Sequence, residues 1–595
     1  MLYQKETKQC QNCKQNFTID LEDFEFYNKI QVPSPTFCPE CRMVRRMLWR
    51  NERALYKRKC DAPGHSEDII SIYHEDSRLK VYDNKYWWSD DWDSMDYGRD
   101  YDFNKPFFEQ FEELVRDVPQ QNLFTKNVIN SFYCNWAKDI KNCYLSFGLH
   151  DVENCMYSSL IPYTKDSSDC MITRNSELCY QTVDCLNSHK LFYSQNCESC
   201  VNSYFLYDCK NCSDCIGCIG LRNKQYYIFN KKYNKEEYFK KLKEFNLGCH
   251  KTISEIKEKF NELNLKYPRK FANILKSFNI VGDNISNAKN CFYCFNSSKD
   301  LENLKFANYA VDRVKDSYDI NFGGMKSELC YDVISCIGFK VFFVVFILEG
   351  YNVQYSFNCH NSNNLFGCVG LRNKEYCILN KQYTKEEYEK LVPSIIEHMN
   401  NMPYIDKKGR VYKYGEFFPA ELSPFAYNEI IAQEYFSLTK EQAIEQGYKW
   451  KEQEERNYNI DIKTQDILDD IKYIENDIIG KIIECEHQGK CNEQCVTAFK
   501  IIQREFEFYK KQNIPIPRLC PNCRYYQRIK QRNPLKLWHR KCQCAGKTSD
   551  NKVYKNTIEH PNHKQEHCSV EFETSYSPDR QEIVYCEKCY QAEVV

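Results

Sequence analysis

Cys13, Cys38 and Cys41 recur at a constant offset of 482 residues as Cys495, Cys520 and Cys523, and this repetition constrains the fold more tightly than any other feature. The same offset relates Phe17 to Phe499, Glu25-Phe26-Tyr27 to Glu507-Phe508-Tyr509, Arg50-Asn51 to Arg532-Asn533 and Cys60 to Cys542. The two ends are copies of one module. In the first copy Cys10 and Cys13 form one CxxC, and Cys38 and Cys41 form a second inside FCPECR. Two such turns brought together by a hairpin present four thiolates at a Zn–S distance of about 2.3 Å, which predicts a zinc ion on Cys10, Cys13, Cys38 and Cys41. In the second copy Cys495, Cys520 and Cys523 carry over directly, but Asn492 stands at the position of Cys10. Cys491, one residue earlier, is the expected fourth ligand, with Cys485 and His487 as fallbacks. A closed four-thiolate shell has no open coordination position, so these ions are expected to be structural. The competing reading, cysteines as small buried hydrophobes, leaves the repeated pairing of CPxC turns without a cause.

The stretch CQNCKQNFTIDLEDFEFYNKIQVPSPTFCPECR carries a CxxC, a Phe, an EFY aromatic cluster, a Pro and then CPxCR. In this it resembles the zinc-ribbon, treble-clef-like domain family of uncharacterised bacterial proteins. The C-terminal copy is similar apart from its first turn. The resemblance implies zinc binding and a small knuckle-and-helix fold, and it implies no particular biological role.

Each CPxCR is followed by basic chain. Residues 42–59 hold eight Lys or Arg against Glu52 alone, and residues 524–541 hold seven with no acid, although the whole chain has a formal net charge of only -1. Arg42, Arg45, Arg46, Arg50, Arg53 and Lys57 recur every three or four residues, which predicts a stripe along one side of a helix. Arg524, Arg528 and Arg532 begin the same stripe, and Pro534 is expected to end it. With Trp49, Tyr56 or Trp538 nearby, such helices could neutralise phosphates and stack on bases, so RNA or DNA is the expected partner. The competing reading is a solvated charged face, or cations paired with acidic segments of the same chain.

The tail adds Cys542 and Cys544 as a CxC, Cys568, and Cys586 with Cys589 in VYCEKCY, beside His560, His563 and His567. One zinc cannot use so many ligands. The expected set is Cys544, Cys568, Cys586 and Cys589, with Cys542 as the substitute. The N-terminal copy keeps Cys60 but reads VYDNKYWW where the tail reads VYCEKCYQ, so it is expected to lack this further metal. The cofactor expectation is two or three structural Zn2+ ions in all.

A second duplication fills the middle at an offset of about 150 residues: SELCYQTVDC from Ser176 matches SELCYDVISC from Ser327, and GLRNKQYYIFN from Gly220 matches GLRNKEYCILN from Gly370. Short Asn/Asp-Cys-aromatic segments recur every 9 to 15 residues, which suggests stacked coils of a β-solenoid with cysteines buried in ladders. Single cysteines at strand spacing read as core. The run Cys209, Cys212, Cys215 and Cys218 could hold metal, although its second copy keeps only Cys359 and Cys368. Capping boxes at Asn234/Glu237 and Thr384/Glu387 predict helices that close the units, and Thr439 opens a short helix through Gly447.

The fold class that follows is mixed and mainly β: a duplicated, Cys-rich β-solenoid-like region flanked by small zinc-ribbon/treble-clef modules, with helical linkers. The expected divisions are 1–62 for the first zinc module with its basic helix, 63–126 for a connector, 127–245 for the first solenoid unit and 246–286 for a helical linker, whose helix is centred on 255–278. The second unit follows at 287–392, a mixed linker at 393–480, the second zinc module at 481–545 and the zinc-binding tail at 546–595. With 35 cysteines, an odd count, and no apolar leader in MLYQKETKQC, the chain is expected to be a reduced cytoplasmic protein rather than a secreted disulfide scaffold. The longest apolar run, 341–348, is too short to span a bilayer, so no membrane is expected. No GxGxxG, P-loop, HExxH or GxSxG pattern is present, so neither a catalytic residue nor a small-molecule substrate is assigned. A nucleic-acid binder is therefore the first functional expectation. The alternative is a scaffold whose solenoid face meets a protein, with zinc modules as purely structural braces.

Overall fold

From Asn127 to Phe229 every third residue, glycine or not, has a φ between 45° and 66°. A left-handed residue after each pair of extended ones turns the chain through a corner, and four such corners close a coil. The closure is visible in the register: Phe132 pairs in parallel with Tyr144, Tyr144 with Met156, Met156 with Ser168, Ser168 with Tyr180 and Tyr180 with Phe192, each step 12 residues. Residues at a second position of every triplet point inward. Cys134, Ala137, Ile140 and Cys143 are successive inward positions of one coil, and Cys209, Cys212, Cys215 and Cys218 are those of another; all are buried in one cluster. Cys185, Cys197 and Cys209 lie one coil apart from each other, as do Cys200 and Cys212, and all are free thiols. Outside, side-chain amides form a matching ladder, Asn130 to Asn142 at 2.7 Å, Asn142 to Asn154 at 3.0 Å and Asn154 to Asp166 at 2.8 Å. Small inward residues are what so narrow a coil can accommodate at close-packed density.

This is a computed structural model, and it describes residues 4–452 and 458–594. Residues 1–3 of the opening stretch, 453–457 of the expected mixed linker and the last residue lie outside the described part. The chain is mixed, with strand outweighing helix. A second stack follows the first, less regular in step: Ile274 pairs with Ile285, Val314 with Ser327, Tyr318 with Tyr331 and Leu348 with His360, all parallel. Its interior runs from Ile285 through Cys291, Cys294, Cys330, Cys359 and Cys368 to Cys377. Both stacks end in the same way. A short antiparallel hairpin, Gln225–Ile228 with Lys231–Lys232 or Glu375–Ile378 with Lys381–Gln382, leads into a capped helix. The caps are Asn234, which accepts from the Glu237 amide at 2.8 Å, and Thr384, which forms a reciprocal box with Glu387.

The helix between the stacks spans His250–Lys266, so it begins and ends earlier than the expected 255–278. Pro268 disfavours helical backbone at Tyr267, and Arg269–Lys270 pairs in parallel with Val584–Tyr585, which ties this connector to the tail. The short helix after Thr439 is Lys440–Glu445 with a full capping box. Among the described residues no helix is long and apolar enough to cross a membrane.

Candidate metal centres

The first module begins with an antiparallel hairpin, Glu6–Gln9 with Asn16–Ile19, whose turn carries Cys10 and Cys13. Cys38 caps the helix Pro39–Met47, with Pro39 at its first position, and Cys41 lies in its first turn. Pro is tolerated there because its missing N–H has no intrahelical acceptor. The helix start thus aims two thiols at the hairpin's two. Cys13 Sγ lies 3.7 Å from Cys38 Sγ, the Cys38 amide donates to Cys10 Sγ at 3.2 Å, and the four sulfurs all lie within 4.8 Å of one another. Four sulfurs about 2.3 Å from a tetrahedral ion sit about 3.8 Å apart, so this group could hold a metal ion.

The second module repeats the frame with a different fourth cysteine. Ile483–Glu484 pairs with Ala498–Phe499, and the register matches Ile483 to Phe499 as Lys8 is matched to Phe17. Cys485 therefore occupies the place of Cys10. The offset of 482 that holds from Cys13 onward drops by seven residues across this hairpin, because the turn between Cys485 and Cys495 is longer. Cys485, Cys495, Cys520 and Cys523 gather within 4.8 Å, with Cys485 Sγ 3.9 Å and Cys520 Sγ 3.5 Å from Cys523 Sγ. The Cys520 amide donates to Cys485 Sγ at 3.2 Å, as Cys38 does to Cys10. Cys491 belongs to a neighbouring group with His487, Glu493 and Cys523, and its sulfur is 3.7 Å from that of Cys523. The four-cysteine set is thus completed by the fallback Cys485 rather than by Cys491, for a reason of strand register. Cys485→Ser is expected to release one equivalent of metal from the full-length protein, whereas Cys491→Ser keeps the four-cysteine ion; plasma mass spectrometry on desalted protein reads the difference.

The tail contains a third such frame. Cys542 directly follows a strand, Trp538–Lys541, that pairs with Glu571–Thr574, and Cys586 precedes the helix Glu587–Val594. The Cys586 amide donates to Cys542 Sγ, again at 3.2 Å. Cys542, Cys568, Cys586 and Cys589 form the buried four-cysteine group, while Cys544 joins His560, His563 and Cys589. The substitute Cys542 thus takes the place expected for Cys544, because the residue directly after the hairpin strand faces the helix start. A fourth copy of the frame exists near the N-terminus: Tyr56–Lys59 pairs with Asp68–Ser71, and the Asp83 amide donates to Cys60 Sγ at 3.3 Å. There Asp83 and Tyr86 stand where the tail has Cys586 and Cys589, so only Cys60 of the four thiols remains.

Each of these groups has a thiol drawn toward its thiolate form. Hydrogen bonds from Cys38 and Cys41 pull the Cys10 thiol far below its ordinary range, and those from Cys520 and Cys523 bring Cys485 down to about 4. Cys542 and Cys589 do the same to Cys586, which falls to about 2. The helix N-termini at Cys38, Cys520 and Cys586 add favourable partial charge for thiolate and for the metal complex it forms.

The arginines sit elsewhere than a nucleic-acid stripe requires. The helix after Cys41 ends at Met47, so Arg50, Arg53 and Lys57 are not on it, and Lys57 lies in the strand Tyr56–Lys59. Arg42 and Arg46 are 1 % and 0 % exposed and share one carboxylate. Asp319 Oδ2 accepts from Arg42 Nη2 at 2.9 Å, and its Oδ1 accepts from Arg46 Nη1 at 2.9 Å. Arg46 also reaches Asp332 at 2.7 Å, and Arg45 bridges Asp332 at 3.0 Å and Glu416 at 2.7 Å. Burial opposes the Arg42 charge, but Asp319, Tyr27 and Tyr331 together outweigh it, so the guanidinium is held above its ordinary range. Arg50 pairs with Glu52 at 2.6 Å, donates to Ser335 and stacks on Trp136; Arg53 stacks on Tyr525. Lys57 is exposed and pairs with Asp68.

The second module repeats this contact. Arg524 and Arg528 share Asp169, at 2.8 Å and 2.6 Å, and Arg532 pairs with Asp184 at 3.1 Å. The helix there ends at Ile529, ahead of Arg532 and of Pro534. Asp169 and Asp319 are 150 residues apart, the spacing of the middle duplication, just as Arg42 and Arg524 are separated by the spacing of the end modules. Each module therefore docks on one stack by the same two-arginine clasp: the first module on the second stack, the second on the first. The arginines expected to neutralise phosphates are buried at Arg42, Arg45, Arg46, Arg524 and Arg528. These guanidiniums face carboxylates of the same chain, which desolvation makes necessary once the helix is buried.

Comparison with protein-family models returns no match, and comparison with curated proteins returns none. Among solved structures, one from Desulfovibrio desulfuricans G20, named provisionally as an acetyltransferase, is 13 % identical over 50 % of this chain and 73 % of its own, with a TM-score of 0.09. A likeness that slight carries no argument.

Proposed function

We propose that the chain is a zinc-dependent structural scaffold, in which zinc-ribbon, treble-clef-like modules brace two β-solenoid units whose outer surface meets a protein partner. The burial of Arg42 and Arg46 on Asp319, repeated by Arg524 and Arg528 on Asp169, is the observation that carries this reading. It commits the most basic helices to holding the modules on the stacks. Zinc is favoured by the donor set, since four thiolates in a closed tetrahedron suit a soft-tolerant ion without redox chemistry. A stacked-coil unit needs its neighbours to bury its faces, and a docked module supplies that cover along one side.

The reading separates cleanly from nucleic-acid binding. An Arg45→Ala/Arg46→Ala protein is expected to unfold at a lower temperature by circular dichroism, with its retention of mixed RNA and DNA at low salt unchanged. Retention that weakens while the melting curve stays put would overturn the scaffold and restore the phosphate-binding role, because phosphate contacts are lost without cost to a fold that does not use them.

A further inference from the structure

We propose that the tail holds two divalent ions joined through the Cys589 thiolate, a proposal that rests on the zinc reading above and extends it. Cys542, Cys544, Cys568, Cys586 and Cys589 all belong to one buried cluster. A tetrahedral ion takes four donors, and Cys542, Cys568, Cys586 and Cys589 supply them. Cys544 is left over, fully buried, and it faces two imidazoles: His560 Nδ1 at 3.2 Å, which is 3.3 Å from His563 Nε2, which in turn is 3.2 Å from Cys589 Sγ. These four atoms lie within 4.8 Å of one another and form a second tetrahedral set that shares one sulfur with the first.

The outer ring nitrogens show which way the imidazoles are aimed. His563 Nδ1 lies 2.7 Å from the Glu566 carbonyl oxygen, which can only accept, so that nitrogen carries the proton and Nε2 presents a lone pair to the cluster. His560 Nε2 lies 2.8 Å from Glu593 Oε1, a carboxylate with a fully buried side chain, which leaves Nδ1 as the inward donor atom. Glu593 is itself held by Tyr554 Oη at 2.8 Å and by the Thr557 amide and hydroxyl at 2.9 Å and 2.8 Å. A carboxylate or carbonyl behind each imidazole is the arrangement that orients histidine ligands and raises their basicity. Asn556 Nδ2 donates to Cys544 Sγ at 3.1 Å, as it would to a metal-bound thiolate.

Charge and chain layout point the same way. Five thiolates around one dication carry a net -3 in a buried cluster, and a second dication with two neutral imidazoles reduces that to -1. In the N-terminal copy of the frame, the connection between the paired strands spans only residues 60–67; in the tail it spans residues 542–570. Cys544, His560 and His563 all lie in that longer connection, which has no regular strand or helix of its own and is ordered by the contacts just described.

Full-length protein loaded with cadmium-113 tests this directly. Two tail resonances, split by mutual coupling through the shared sulfur, are expected in the unaltered protein. The His560→Ala/His563→Ala variant is expected to lose one ion by native mass spectrometry and to leave a single unsplit tail resonance, and Cys544→Ser should do the same. One uncoupled tail resonance in the unaltered protein, with an ion count that the histidine variant does not change, overturns the bridge while leaving the zinc reading intact. Absence of any tail ion in the unaltered protein overturns the zinc reading there as well.

Discussion

Replacing Asp319 with alanine is expected to cost about 3 to 5 kcal/mol, the range for breaking a buried ion pair by removing one partner. Asp319 is 0 % exposed and answers two guanidiniums at once. Without it Arg46 keeps Asp332 and Asn321, but among the described residues Arg42 keeps only the Phe37 carbonyl as a hydrogen-bond acceptor, with the face of Phe306 beside it. The uncompensated charge belongs to Arg42, so the helix Pro39–Met47 is where the loss should register. Hydrogen exchange of its amides is expected to speed up by about two to four orders of magnitude, at roughly 1.4 kcal/mol per tenfold. Asp169→Ala should do the same to the helix Pro521–Ile529, where Arg528 loses its carboxylate and Arg524 falls back on Glu505 at 3.4 Å. Because the cost is that of an orphaned charge rather than of lost packing, Arg42→Met combined with Asp319→Leu should recover much of it. Equal instability of the single and double variants would refute the clasp as the source.

How far these features could be read from the sequence depends on how local their cause is. The gathering of Cys13, Cys38 and Cys41, and of their copies, was legible because tetrahedral coordination dictates spacing within a short stretch. The fourth cysteine of the second copy was not, because the constant offset was carried through a hairpin whose turn has grown, and only pairing of Ile483 with Phe499 reveals that Cys485 directly follows the strand. Tail Cys542 was displaced by Cys544 in the expected set for a similar reason. The arginine periodicity was real within the helix, but periodicity cannot say which face is buried. That depends on a carboxylate 277 residues away, and the equal spacing of the aspartates, Asp169 and Asp319, was the one available signal. The coils were legible as a period and not as a conformation. Asn and Asp tolerate a left-handed backbone, yet Tyr133, Leu145, Leu160 and Ile172 adopt it too, held there by the ladder on either side.

The largest effect should follow removal of metal, and it should be confined to the modules. Structural zinc contributes about 10 to 16 kcal/mol of apparent binding free energy in small zinc-finger peptides, where binding and folding are one event. Here the modules also have partners on the stacks, so part of the fold survives without the ion, and the boundary of what survives can be drawn from the cores. The interiors of the two stacks contain none of the cysteines of the three four-cysteine groups. By contrast, Cys10 and Cys38 are packed with Phe17, Phe26 and Met43, and Cys485, Cys495, Cys520 and Cys523 with Phe499, Phe506 and Tyr509. Chelation at neutral pH is therefore expected to strip hydrogen-exchange protection from both hairpins and from the helices Pro39–Met47 and Pro521–Ile529, while amides inside the coils keep theirs. Acidification should act in the same direction: protons compete with metal for thiolate, so affinity is retained above the thiol titrations and falls as pH drops through them. If chelation collapses the coils together with the modules, the ions hold up the whole molecule rather than its clamps; if protection is untouched everywhere, the cysteine groups are core and nothing more.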